Sequence, residues 1–100
     1  MNNFTPQQRE ALRRTLDARA AVLRDEIDAD AREDLNAEPE MAALQRDRGE
    51  LRDVEEALVR LYKPAFGLCE DCGEGIPFLR LEAAPAAKRC SACQAKFEST

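Results

Sequence analysis

Apolar residues recur in the first part of the chain at helical rather than strand spacing. Leu12, Leu16, Ala20, Leu23, Ile27 and Ala31 follow one another at intervals of three and four. This is a narrow stripe of the kind that docks on one partner helix, with Arg, Asp and Glu on the other faces. A second stripe runs from about Pro39 to Tyr62. There Leu44, Leu51 and Leu58 lie one heptad apart, with Met41, Val54 and Leu61 between them. Thr5, Pro6 and Gln8 form a dense helix-start signal: Thr5 as N-cap, Pro6 at the tolerated first position, Gln8 closing a capping box. Between the stripes, Asn36 or Glu38 is a candidate cap, and Pro39 fits only in a first turn. Gly49 is a weak point inside the second helix. Lys63-Pro64 ends it.

The two stripes suit each other as an antiparallel coiled-coil hairpin. Pairing Ile27 with Met41, Leu23 with Leu44, Leu16 with Leu51 and Leu12 with Val54 keeps one register and places the tip near Asp34. Each arm is then about 40 Å long at 1.5 Å per residue. Composition supports an elongated molecule: aromatics are 5% of the 100 residues, Trp is absent, and charged residues are 35%. A chain with so little apolar bulk must be extended, stapled, or both.

Charge is uneven. The formal net charge is −5, and the stretch from Asp25 to Glu40 carries eight acids against one base, Arg32. Such a surface argues against nucleic acid as the main partner, since phosphate binding needs a basic footprint. Lys88, Arg89 and Lys96 are the one basic cluster that a DNA-binding reading could use. The chain starts without a basic, apolar leader pattern and has no run of the length that spans a bilayer. A cytoplasmic protein with no membrane association is therefore expected, in a compartment where disulfides are uncommon.

Chemistry concentrates in four cysteines: Cys69 and Cys72, then Cys90 and Cys93. Two Cys-x-x-Cys pairs at this separation are a strong signal for zinc, each pair spanning one edge of a tetrahedron of thiolates. Gly73, just after Cys72, permits the positive φ that turns backbone N–H groups toward the sulfurs. Lys88 and Arg89 stand ready to offset the negative charge of a tetrathiolate. Two disulfides, a thioredoxin-type redox pair and an iron–sulfur centre are the competing readings. A zinc held by four sulfurs has no position left for water, and the chain has no histidine. No enzyme is expected, and the metal, one Zn2+, is structural.

Around the cysteines the residues are more specific than the spacing. Phe66, Gly67, Leu68, Cys69, Cys72, Gly73, Gly75, Ile76 and Pro77, then Arg80, Leu81, Glu82, Ala83 and Pro85, then Cys90, Cys93 and Gln94 follow one arrangement. It resembles the C4-type zinc finger of the DksA/TraR family of bacterial transcription regulators, from Phe66 to Gln94. The resemblance implies a regulator that binds RNA polymerase rather than DNA. It also implies a coiled coil that enters the secondary channel, acidic tip residues near the active centre, a zinc-bearing part at the channel rim, and the alarmone ppGpp as a co-regulator at that interface. The acidic run lies where the hairpin tip is expected, and Asp28, Asp30, Glu33 and Asp34 are the candidate partner-binding residues. A solvated coiled-coil end is the plainer account of those acids. The Asp-x-x-Asp-x-Ala tip motif of the larger members has no clean counterpart here.

The expected fold is mainly α: an antiparallel coiled-coil helical hairpin over 1–63 with its tip near 28–39, then a C4 zinc finger with a short C-terminal helix over 64–100. Ile76, Phe78 and Leu81 are expected to form a small core between finger and helices. Phe4 and Tyr62 are expected to close the hairpin's base, Arg80 to pair with Glu82 or a knuckle acid, and Phe97 to pack inward from a helix over Cys93–Glu98. A monomer is the simplest closure. The alternative function is a non-enzymatic adaptor whose hairpin engages a different protein.

Overall fold

The computed structural model describes residues 4–32 and 38–99, with side chains for 4–29 and 42–99. Among these described residues are four helices: α1 (Pro6–Arg32), α2 (Glu38–Arg60), α3 (Phe78–Ala83) and α4 (Ser91–Glu98). The capping box forms as expected. The Gln8 N–H donates to Thr5 Oγ1 at 3.0 Å, and the Thr5 N–H donates to Gln8 Oε1 at 2.9 Å, which satisfies two donors that the helix cannot. Pro39 lies within the first turn of α2. That helix stops at Arg60, three residues before the Lys63-Pro64 break, where the Lys63 N–H closes a turn on the Arg60 carbonyl at 2.8 Å.

The two long helices form the expected hairpin, in a molecule 48 Å long and 18 Å thick. Leu16, Ala20 and Leu23 of α1 bury with Val54 and Ala57 of α2, flanked by Leu51, Leu58 and Ala86. Exposed ion pairs, Arg19–Glu50 at 2.5 Å and Arg24–Glu55 at 3.1 Å, cross the helix interface. Such exposed pairs are screened by solvent, so the apolar seam is what holds the arms together.

The register differs from the heptad pairing. Leu12 buries with Leu61 rather than with Val54, and the Arg9 guanidinium donates to the Leu61 carbonyl beside it. The shift is one heptad. Leu44, Leu51 and Leu58 present the same face in either alignment, so periodicity alone does not choose between them. The base chooses, because Leu61 and Leu12 belong to the finger's core. Ala57, fully buried, was no part of the expected stripe; its small side chain lets the helices approach there. The Ile27–Met41 pairing and the caps at Asn36 and Glu38 fall outside the described side chains.

At the base, Leu12, Leu61, Phe66, Cys69, Ile76 and Leu81 form one buried cluster, joined by the partly buried Phe4, Phe78, Ala87, Cys90 and Cys93. The core expected for Ile76, Phe78 and Leu81 is therefore present. Phe4 caps it, its ring 5.9 Å from Phe66 and 6.1 Å from Phe78. Tyr62 does not take part. It is 63% exposed, because the turn after α2 carries it away from the face that holds Leu61.

Two substitutions test this packing. Leu61→Ala should lower stability by about 2–5 kcal/mol, whereas Val59→Ala, two residues away and 65% exposed, should stay within about 0.5 kcal/mol of the parent; denaturant unfolding of both variants reads the difference. Gly49 lies inside α2, and a Cβ built there meets nothing within 4 Å. Gly49→Ala should thus raise stability by about 0.5–1 kcal/mol, seen as a higher melting temperature.

Candidate metal centre

Local backbone geometry builds the first cysteine pair. Gly67 at φ 85° turns the chain out of the post-α2 turns. Leu68 then forms an antiparallel bridge with Gly75. Inside that bridge the Cys69 N–H donates to the Glu74 carbonyl at 2.8 Å and the Gly73 N–H donates to the Cys69 carbonyl at 2.9 Å. Gly73 adopts φ 77°, the conformation expected from its place after Cys72. The second pair is built differently. Cys90 has extended backbone and is the N-cap of α4, whose first turn carries Cys93. One hydrogen bond, from the Glu70 N–H to the Lys88 carbonyl at 2.8 Å, lays the two knuckles side by side.

The result is a four-sulfur cluster. The Sγ atoms of Cys69, Cys72, Cys90 and Cys93 all lie within 4.8 Å of one another, and all four cysteines are free. Cys72 Sγ and Cys90 Sγ are 3.8 Å apart. A tetrahedron with metal–sulfur bonds of about 2.3 Å has an edge of about 3.8 Å, so the spacing fits zinc. Cys69 is buried, Cys72 is exposed, and the other two are intermediate.

Electrostatics also call for a cation. Burial opposes ionisation of Cys69, but main-chain N–H groups of Cys72, Cys90 and Asp71 outweigh it and hold that thiol down at about 6. Contacts with the Cys90 and Cys69 side chains, with desolvation, push Cys93 up to about 12. At Cys72 the Glu74 N–H favours the thiolate, yet contact with Cys69 and desolvation win and raise it. Four sulfurs this close cannot all ionise alone; a dication removes the conflict. With sulfur at every vertex, the set leaves no open coordination position and suits a structural ion.

Of the two cations expected to offset the thiolates, Arg89 interacts electrostatically with Cys69 whereas Lys88 is turned to the hairpin. Lys88 reaches Glu56 of α2 at 3.3 Å, strapping finger to hairpin. Arg89 pairs with Asp71 at 2.8 Å and Glu70 at 3.4 Å, the two residues between Cys69 and Cys72. Its guanidinium carbon also lies 4.0 Å from the Phe97 ring centroid. Phe97 therefore does not pack inward: α4, which begins at Ser91, has no buried residue, and Phe97 is 57% exposed with Arg89 on its face. Arg80 pairs with neither Glu82 nor a knuckle acid. It donates from Nε to the Arg89 carbonyl at 3.0 Å, because α3 aims it across at the chain entering Cys90. No sequence signal marked this Arg80–Arg89–Phe97 chain of contacts, since the fold alone brings the three together. Of the tip candidates, Asp28 is exposed on α1 and Asp30 lies in its last turn, with a side chain outside the described set; Glu33 and Asp34 are outside the described residues.

Because cysteine binds zinc as thiolate, protons compete with the metal and retention must fall as pH falls. Acidification from about pH 7.5 to about pH 4.5 in the presence of a chromophoric chelator should therefore release the metal. Cys93→Ser should retain little zinc at neutral pH, with α3 and α4 losing hydrogen-exchange protection before the middle of α1 does.

Comparison with known proteins agrees with this geometry. Residues 64–99 match the prokaryotic dksA/traR C4-type zinc finger. Over 79 residues the chain is 34% identical to the RNA polymerase-binding transcription factor DksA of Escherichia coli (strain K12), a match covering 79% of this chain and 52% of that protein. An uncharacterized protein of Aquifex aeolicus (strain VF5) is 42% identical over 48 residues, covering 48% of this chain and 33% of the relative. The uncharacterized protein YteA of Bacillus subtilis (strain 168) is 42% identical over 50 residues, covering 50% and 21% respectively. The chain thus spans about half the length of the E. coli relative and less of the other two. Its fold is similar to that of transcription factor DksA2 from Pseudomonas aeruginosa, with a TM-score of 0.76 at 24% identity over 94% of this chain and 85% of that one. The family match and the four-sulfur cluster together make residues 64–99 a zinc finger of the DksA/TraR family, carrying one structural zinc.

Proposed function

We propose that this chain is a non-enzymatic transcription regulator that binds RNA polymerase and works through its hairpin tip in the secondary channel. Cys69, Cys72, Cys90 and Cys93 are the zinc ligands in this reading. The hairpin over 1–63 is the probe, and the finger over 64–100 is the base that fixes its root. The observation that carries the proposal is the reach of the likeness. The match to a relative named for RNA polymerase binding runs over 79 residues, so it extends beyond the 64–99 finger into the hairpin.

The surface supports a protein partner. Lys88 and Arg89, the heart of the basic cluster, are both engaged with carboxylates, which leaves little of the footprint that DNA needs. The acidic stretch from Asp25 to Glu40 spans the junction between α1 and α2 in sequence, and Asp28 is exposed. Asp28, Asp30, Glu33 and Asp34 are the residues assigned to the polymerase contact, with ppGpp as co-regulator at that interface. Among the described residues no helix is long and apolar enough to cross a membrane, and the proposed place of work is the cytoplasm, as a monomer.

In-vitro transcription with and without the protein tests this directly. The wild type should bind core polymerase at micromolar concentration and alter transcript yield, with a larger change when ppGpp is added. A variant with Asp28, Asp30, Glu33 and Asp34 changed to amides should fold and keep its zinc but lose most of the effect. Absence of wild-type binding to core polymerase would sink the proposal.

A further inference from the structure

Arg89 contacts both halves of the metal centre without supplying a ligand. Its Nε and Nη2 reach Asp71 and Glu70, between the first two cysteines, at 2.8 Å and 3.4 Å. The flat face of its guanidinium lies on Phe97, on the helix that carries Cys93. Its carbonyl is fixed by Arg80, and its own peptide leads into Cys90. The side chain is only 19% exposed, low for an arginine on a finger this small.

These contacts border a cleft. Asp71, Cys72, Cys93, Lys96 and Phe97 line an open depression on the side of the cluster where Cys72 meets solvent. Asp71 and Phe97 both belong to this lining, and Arg89, itself not part of it, pairs with the first and stacks on the second. No residue of α4 is fully buried, and the helix meets the core through the partly buried Cys93, so the Arg89–Phe97 stack adds to a light attachment. A competing chelator must reach the ion itself, and the side of Cys72, the exposed ligand, is the most open approach.

We infer that Arg89 is a positioning residue that governs zinc exchange, tying the first knuckle to α4 so that the ion leaves slowly. The forked, planar guanidinium is suited to this in a way lysine is not, since it pairs with two carboxylates while stacking on a ring. Groups that orient metal ligands without touching the ion commonly change metal retention by about 10–100-fold.

Zinc transfer from the loaded full chain to a chromophoric chelator reads the rate. Arg89→Gln should release zinc about tenfold faster than wild type. Arg89→Lys, which keeps the charge but not the fork, should fall between them, as should Phe97→Leu. The loaded cobalt(II) form of Arg89→Gln should keep a tetrathiolate spectrum, because the ligands themselves are unchanged. A wild-type release rate in Arg89→Gln overturns the inference, and so does an altered cobalt spectrum, which would mean that Arg89 shapes the ligand set. Should Arg89→Gln fail to load, the salt dependence of the wild-type rate decides: release should quicken as the ion pairs are screened, and a flat profile overturns the inference.

Discussion

One buried cluster organises this molecule. Leu12 and Leu61 come from the hairpin, Phe66, Ile76 and Leu81 from the finger, and among them sits Cys69, one of the four sulfurs of the metal centre. Neither half supplies this cluster alone. The finger has little apolar mass beyond these residues, and the hairpin's two seams do not say where they should meet. Placing a cysteine in the core fastens the metal centre to the hairpin's root, so zinc binding is also folding energy for the junction.

That junction explains what could be foreseen and what could not. The capping box at Thr5 and Gln8 is a local rule, and it forms as written. The cysteine spacing is equally local, because each knuckle is a few residues closed by its own turn, with Gly73 at the positive φ it was expected to need. The hairpin register is not local. Leucines one heptad apart fit two alignments, and the choice falls to contacts made by Phe66, Ile76 and Leu81, distant in sequence from Leu12. The burial of Ala57 was hidden for a related reason: the neighbouring Leu58 carries the heptad, and only the final register turns Ala57 inward while Leu58 is partly buried beside it.

The finger's polar side chains show the same limit. Arg80, Arg89 and Phe97 read as a charge near an acid, a charge near a thiolate and an inward ring. In the structure they form one chain of contacts from α3 to α4. Their partners sit at the far end of the loop between the two cysteine pairs, and only the closed loop brings them together. Residue identities specified the metal; the second layer of contacts around it depended on the fold.

If the reading of function holds, the two ends of the molecule divide the work. Zinc and core fix the direction of an arm whose longer helix spans about 40 Å, and acids at its far end meet the partner. The most direct test is site-specific cross-linking to core RNA polymerase from a photo-reactive residue placed at Asp28, with Leu79 on the finger, 77% exposed, as the comparison site. The account predicts that position 28 cross-links to the walls of the secondary channel. Polymerase binding with cross-links from Leu79 alone, and none from position 28, would contradict it.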